Sequence, residues 1–144
     1  MKTVRQLLET KGSEILFTTP GSTVYEALVL MAEKRVGALL VLEGEQLVGI
    51  FSERDYARGI ALKGKSSKDT PVRDIMTPQE CLITVGPQDT VEACLDLVSD
   101  KRIRHLPVLE NGKLLGVLSI GDLVKETIAY QKFLISQLES YIKS

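Results

Sequence analysis

Apolar and polar positions along this chain follow first a helical and then a strand-like period, and the order occurs twice. Val24, Ala27, Leu28 and Met31 recur at the spacing of one helical face, and Val91, Cys94, Leu95 and Val98 do so further on. Thr23 and Thr90 stand just ahead of these stripes, where a helix N-cap belongs. After each stripe comes an unbroken apolar run, Ala38 to Leu42 and Leu106 to Leu109. A polar tetrad comes next, Glu43-Gly44-Glu45-Gln46 or Glu110-Asn111-Gly112-Lys113, and then a second apolar run, Leu47 to Phe51 or Leu114 to Leu118. That order predicts strand, turn, strand. A Ser-x-x-Asp element then opens another helix, Glu53 to Leu62 in the first case and Ile120 to about Tyr141 in the second. Short strands at Ile15 to Thr18 and Leu82 to Val85 precede the amphipathic helices.

The recurrence is a duplication. Shifted by 67 positions, Pro20 to Tyr56 aligns on Pro87 to Leu123 without a gap, and fifteen of the 37 positions are identical. Chance would give about two or three. Each copy reads β-α-β-β-α and leaves one sheet face without a covering helix. The expected fold is therefore α/β, with tandem repeats packed sheet to sheet about a pseudo-two-fold axis. On this reading 1–144 is a single domain, with repeats at 4–62 and 72–124, a polar linker at 63–71 and a C-terminal helical extension at 125–142.

Composition narrows the function classes. The chain has 144 residues, 44% hydrophobic and 26% charged, with a formal net charge of -1, so nothing marks it as a nucleic-acid binder. No apolar stretch approaches the roughly 20 residues of a membrane span, and Met1 to Gly12 has no apolar signal core, so a cytoplasmic location is expected. Cys81 and Cys94 have no partners at metal-ligand spacing and read as buried or inert thiols. With one histidine and no nucleophile paired with a base, no enzyme is expected.

Two motifs invite chemistry. Gly59 through Gly64-Lys65-Ser66 matches G-x-x-x-x-G-K-[ST] literally, but a helix precedes it where a phosphate loop needs a strand, and Thr70-Pro71 interrupts the helix that such a loop would have to open. The second is Gly-x-x-Ser-x-x-Asp, found as Gly49 to Asp55 and again as Gly116 to Asp122. A hydroxyl at a helix start and a carboxylate one turn on could share a ligand, the carboxylate accepting both hydroxyls of a vicinal diol such as ribose. The same residues also make a plain helix-start pattern, and the residues alone leave both readings open.

The two β-α-β-β-α copies, the paired Gly-x-x-Ser-x-x-Asp and Arg102-Ile103-Arg104-His105-Leu106-Pro107-Val108 resemble a CBS-domain pair, or Bateman module. Ser52-Glu53-Arg54-Asp55-Tyr56, Gly64-Lys65-Ser66-Ser67 and Ser119-Ile120-Gly121-Asp122-Leu123-Val124 resemble the stand-alone pairs of bacteria and plant organelles. Members of that family typically bind AMP, ADP, ATP, NAD(H) or S-adenosylmethionine in clefts between the repeats, with AMP the first expectation here. The resemblance implies that Asp55 and Asp122 hold ribose hydroxyls with Ser52 and Ser119 beside them. The adenine would be edged by Leu16, Thr18 and Val36 in one copy and by Ile83 and Ile103 in the other.

Basic residues are unevenly duplicated. Arg104 and His105 replace Gly37-Ala38 and Arg54 replaces Gly121, which marks all three as candidate phosphate donors. They are expected to converge on the Asp55 cleft, leaving Asp122 little for phosphate beyond backbone amides. Lys34, Arg35, Lys101 and Arg102 end helices and read as caps. Along the terminal helix Val124, Ile128, Ile135, Leu138 and Ile142 form a near-heptad stripe widened by Phe133 and Leu134, which predicts a homodimer rather than a helix folded back on its own domain. With no effector domain attached, regulation would act in trans on an unknown partner protein; the competing reading is a ligand-free dimerisation or scaffold module.

Overall fold

The computed structural model of the chain describes residues 2–12 and 14–143. Where length suggested one compact body, these residues gather into two: Ile15–Leu82, and the residues before 15 together with those from Ile83 onward. The helix preceding the first copy thus belongs with the second copy, and the segment preceding the second copy belongs with the first.

The first unit runs β1 (Phe17–Thr18), α2 (Val24–Lys34), β2 (Ala38–Glu43), β3 (Gln46–Ser52), α3 (Glu53–Tyr56) and β4 (Thr77–Pro78), in one sheet of order β1-β2-β3-β4. The Thr23 side chain accepts from the Glu26 N–H while the Glu26 carboxylate accepts from the Thr23 N–H, so two otherwise orphaned donors are satisfied where α2 begins. Helix α3 runs into a π-helical turn, Ala57–Ala61. Val24, Ala27, Met31, Leu39, Val41, Phe51 and Ile60 form the core with Val72, which lies beyond the segment 63–71 read as a linker. That segment is docked rather than loose: the Val24 and Tyr25 N–H groups donate to the Thr70 and Ser67 carbonyls.

The second unit joins α1 (Val4–Lys11) to α4 (Val91–Lys101), β5 (His105–Glu110), β6 (Lys113–Ser119) and α5 (Ile120–Lys143). Its core pairs position by position with the first, Val91 for Val24, Cys94 for Ala27, Leu106 for Leu39 and Leu118 for Phe51, and adds Val4 and Leu7 from α1. Helix α1 was not foreseen from the apolar pattern; Thr3 and Gln6 cap it reciprocally. Helix α5 is continuous through 124, so no break separates the repeat from its extension.

The two leading segments are exchanged symmetrically. Val4 N–H donates to Asp89 O and Arg5 N–H to Pro87 O, as Val72 N–H donates to Ser22 O and Arg73 N–H to Pro20 O. Val4-Arg5-Gln6-Leu7-Leu8 and Val72-Arg73-Asp74-Ile75-Met76 are themselves a repeat, at an offset of 68 instead of 67.

The expected strand at 82–85 shrinks to a single parallel bridge, Val85 to Val108. In the first copy the Leu40 N–H donates to Leu16 O; its counterpart Pro107 has no N–H, so the matching bond to Ile83 cannot form. Helices α2 and α4 end at Arg35 and Arg102, both left-handed at φ 56° and 53°. The arginines therefore stop these helices through backbone conformation, at a position that usually favours glycine.

Candidate functional site

Each Ser-x-x-Asp is a helix start in which serine and aspartate satisfy one another. The Ser52 N–H and hydroxyl donate to Asp55 Oδ2 at 2.9 and 3.0 Å, and the Asp55 N–H donates back to Ser52 Oγ at 3.2 Å. In the second copy the Ser119 N–H donates to Asp122 Oδ2 at 2.8 Å and the Asp122 N–H returns to Ser119 Oγ at 3.1 Å. The capping role is thus realised in both copies, and a ligand must use what it leaves over.

What is left differs between the copies. The Thr77 hydroxyl donates to Asp55 Oδ1 at 3.2 Å, so three of the carboxylate's about four acceptor positions are taken. A diol seeking two bonds there must displace the Thr77 or the Ser52 hydroxyl. The Lys11 ammonium lies 2.7 Å from Asp122 Oδ2 and also donates to the Val117 carbonyl, while Asp122 Oδ1 accepts no bond among the described residues. Neither Thr77 nor Lys11 lies in a gap-free repeat position, so the sequence held no signal for either.

His105 lies across the ladder from Ser119, as Ala38 lies across from Ser52. Burial lowers the His105 pKa, with Lys11 and Arg104 adding to the effect and Asp122 opposing it. Lys11 is therefore a basic neighbour of Asp122, and His105 feels the charge of both, so the expectation that Asp122 has little beyond backbone amides is corrected by Lys11. Asp122 is pushed up by partial burial, but the Lys11 ammonium and the Ser119 N–H and hydroxyl outweigh that and leave its pKa below the ordinary value.

The expected adenine edges divide between surroundings. Leu16 and Val36 pack against the first core and Ile83 and Ile103 against the second, while Thr18 is buried. Val36 lines a cleft of about 350 Å³ with Leu28, Met31, Ala32, Arg35, Gly37 and Glu53. Asp55 lines a different cleft, of about 240 Å³, with Arg58, Gly59, Lys63, Lys65, Asp74 and Ile75. Arg54 and Arg104 are exposed and make no ion pair among the described residues.

Four successive amides of the G-x-x-x-x-G-K-S match are spent within its own turn. Leu62 N–H donates to Ala57 O, Gly64 N–H to Ala61 O, and both Lys63 and Lys65 N–H to Ile60 O. Cys94 is buried, and desolvation, helped by the charge of Asp89, pushes its thiol up to about 11, as suits an inert core group. Cys81 is exposed, so the expectation of burial holds for Cys94 alone. No helix among the described residues is long and apolar enough to cross a membrane.

Comparison with known proteins matches this geometry to a family. A model described as the CBS domain matches residues 4–62 and again 72–128. The chain is 40% identical, over an alignment of 148 residues covering 98% of it and 72% of the relative, to the mitochondrial CBS domain-containing protein CBSX3 of Arabidopsis thaliana. It is similar to the crystal structure of the CBS domain NE2398, with 48% identity, a TM-score of 0.83 and coverage of 89% of this chain and 99% of that one. The CBS-domain protein ATU1752 of Agrobacterium tumefaciens is similar at 31% identity, a TM-score of 0.81 and coverage of 88% and 99%. With the duplicated α/β unit and its Ser-x-x-Asp helix starts recurring across nearly the whole chain, this protein belongs to the CBS-domain family and carries two CBS repeats.

Proposed function

We propose that the chain is a non-catalytic regulatory module of the cytoplasm that binds adenosine-containing ligands and signals to a partner protein in trans. The observation that carries this reading is the environment of Asp122. Among the described residues its Oδ1 accepts no bond, its Oδ2 is anchored by Ser119 and paired with Lys11, and the Lys11 ammonium supplies positive charge for a phosphate, with the His105 imidazole near enough to feel the Asp122 charge. Asp55 serves the same role in the first unit once Thr77 yields. AMP leads the candidates, with ATP, NADH and S-adenosylmethionine next.

Thermal melting with each of these at millimolar concentration tests the reading. Stabilisation by at least one, lost in Asp122→Asn, is expected. No shift with any of them leaves the ligand-free scaffold. Asparagine is the better substitution, because alanine at Asp55 or Asp122 also deletes a helix cap, at a cost of about 1 kcal/mol.

We also propose that a second copy covers α5. Residues 131–143 are exposed throughout, and Leu138 and Ile142 are 62% and 78% accessible, so the stripe is not folded back on the chain. Near-heptad apolar spacing on a long helix suits pairing with its own equivalent. Sedimentation should give twice 15.9 kDa at tens of micromolar, and Leu138→Glu should halve it; a 15.9 kDa wild-type particle refutes the dimer.

A further inference from the structure

Along α5 the residues Val124, Ile128, Gln131, Ile135, Leu138 and Ile142 follow one another at alternating steps of four and three, which is a heptad seam with a single polar member, Gln131. The isoleucines occupy the first position of each heptad, and Val124, Gln131 and Leu138 occupy the fourth. Leu123 and Glu126 are the buried residues of α5, so the helix docks on its own unit through a neighbouring face and leaves the seam outside. Accessibility along its apolar members runs from 45% at Val124 to 78% at Ile142. Lys125, Lys132 and Glu139 flank the seam on one side, are exposed, and make no ion pair among the described residues. Phe133 is also exposed, but its place in the heptad is on the outer side of the helix.

We propose that two copies of α5 pair as a parallel, in-register, two-stranded coiled coil in which Gln131 faces Gln131 of the second copy. The proposal rests on the dimer proposed above and adds its orientation and register. The polar member and the flanking charges select them. Overlaid antiparallel along the same length, Gln131 would be buried against Ile135 of the second copy with nothing for its amide to bond, and Lys132 would stand beside Lys132 of the second copy. Parallel and in register, each Gln131 amide meets its equivalent and can both donate to it and accept from it. Lys132 then lies beside Thr127 of the second copy and Glu139 beside Leu134, so no like charges meet. Isoleucine at every first position, with leucine at 138, also suits two parallel strands. The pairing covers the whole stripe from Val124 to Ile142 and brings the two second repeats to the same end of the seam. Gln131 costs some stability there and in exchange fixes the register.

Disulfide capture on the full chain tests the orientation, in a Cys81→Ser background because Cys81 is exposed. Ile142→Cys should crosslink to itself on oxidation. In the antiparallel overlay its two copies would stand about 27 Å apart along the axis, since Ile142 would face Val124 of the second copy. Crosslinking confined to a mixture of Val124→Cys and Ile142→Cys therefore overturns the parallel orientation while the dimer stands. In sedimentation Ile135→Ser should weaken association by about tenfold or more and Phe133→Ser should leave it within about twofold. Gln131→Leu should tighten association and lower the share of dimers that Ile142→Cys captures, because the register is no longer fixed; weaker association in Gln131→Leu counts against the facing amides. All these positions are exposed in the single chain, so its folding does not depend on them. A wild-type dimer indifferent to Ile135→Ser assigns the contact to another face and overturns the coiled coil alone, whereas a wild-type monomer at tens of micromolar removes the dimer as well.

Discussion

Lys11 and Asp122 are joined across 111 positions of sequence: the ammonium of α1 sits 2.7 Å from the carboxylate that opens α5. The pair ties the exchanged N-terminal helix to the candidate site of the second repeat. Under the proposed function, a ligand on Asp122 would share its carboxylate with Lys11 and meet the same cation with its phosphate.

Lys11→Ala should raise the Asp122 pKa toward its ordinary value, read from the carboxyl carbon shift in an NMR titration. Because the folded pKa is depressed, the pair's contribution is present above the unfolded carboxylate value and is lost as pH falls through the lower folded one. Both side chains are partly exposed, so the loss on mutation should be about 1 kcal/mol or less and should shrink with salt. Identical Asp122 titration in both proteins sinks the assignment.

His105 should make the protein acid-sensitive. Burial, Lys11 and Arg104 lower its pKa below 6.5, so the unfolded chain takes up the proton first. Stability therefore declines as pH drops below 6.5 and stops declining on this account below the folded pKa. Urea unfolding from pH 7.5 to 5 should show that slope, and His105→Gln should flatten it. A phosphorylated ligand beside His105 should raise its pKa and bind more tightly at pH 6 than at pH 8. An unaltered slope in His105→Gln counts against the assignment.

The glycines that open the two Gly-x-x-Ser-x-x-Asp motifs should respond unequally to alanine. At Gly49 a Cβ would lie 2.6 Å from the Thr77 carbonyl oxygen and 2.9 Å from Met76 Sδ, so the β3–β4 pairing must shift. At Gly116 it would meet only Leu8 Cδ2, at 3.0 Å, the end of a flexible side chain. Gly49→Ala should cost about 2–3 kcal/mol and Gly116→Ala below about 1 kcal/mol in chemical unfolding. Equal costs would mean the exchanged segments do not pack as described.

Arg35 and Arg102 hold left-handed backbone without being glycine. Releasing that strain by Arg35→Gly or Arg102→Gly should stabilise the fold by up to about 1 kcal/mol, after the entropy glycine costs and the loss of a cation at the helix end. Differential scanning calorimetry checks this; a fall in Tm for both variants contradicts it.

Local physics was legible in the chain. The apolar spacing of Val24, Ala27 and Met31 specifies a helix face whatever surrounds it. Thr23 and Ser52 cap within three residues, and Asn111-Gly112 supplies the two positive φ values of a tight turn. The 67-residue repeat carried all of this over to the second copy. Even the lost strand at 82–85 could have been read from Pro107, since a missing N–H is a property of one residue.

Only tertiary structure could decide the rest, because it depends on which segment lies against which sheet, and loop entropy changes too slowly with length to dictate that choice. Val4 packs with Val91 and Val72 with Val24 because each leading segment completes the other copy's core, a choice neutral in hydrophobicity and invisible to periodicity. The exchange alone brings Thr77 to Asp55, Lys11 to Asp122, and Asp74 and Ile75 to the cleft of Arg58, Lys63 and Lys65. The duplicated carboxylates follow from sequence, and the unequal polar groups around them follow from the fold, since a hydrogen bond or ion pair needs atoms within a few ångströms and spacing along a chain does not supply that.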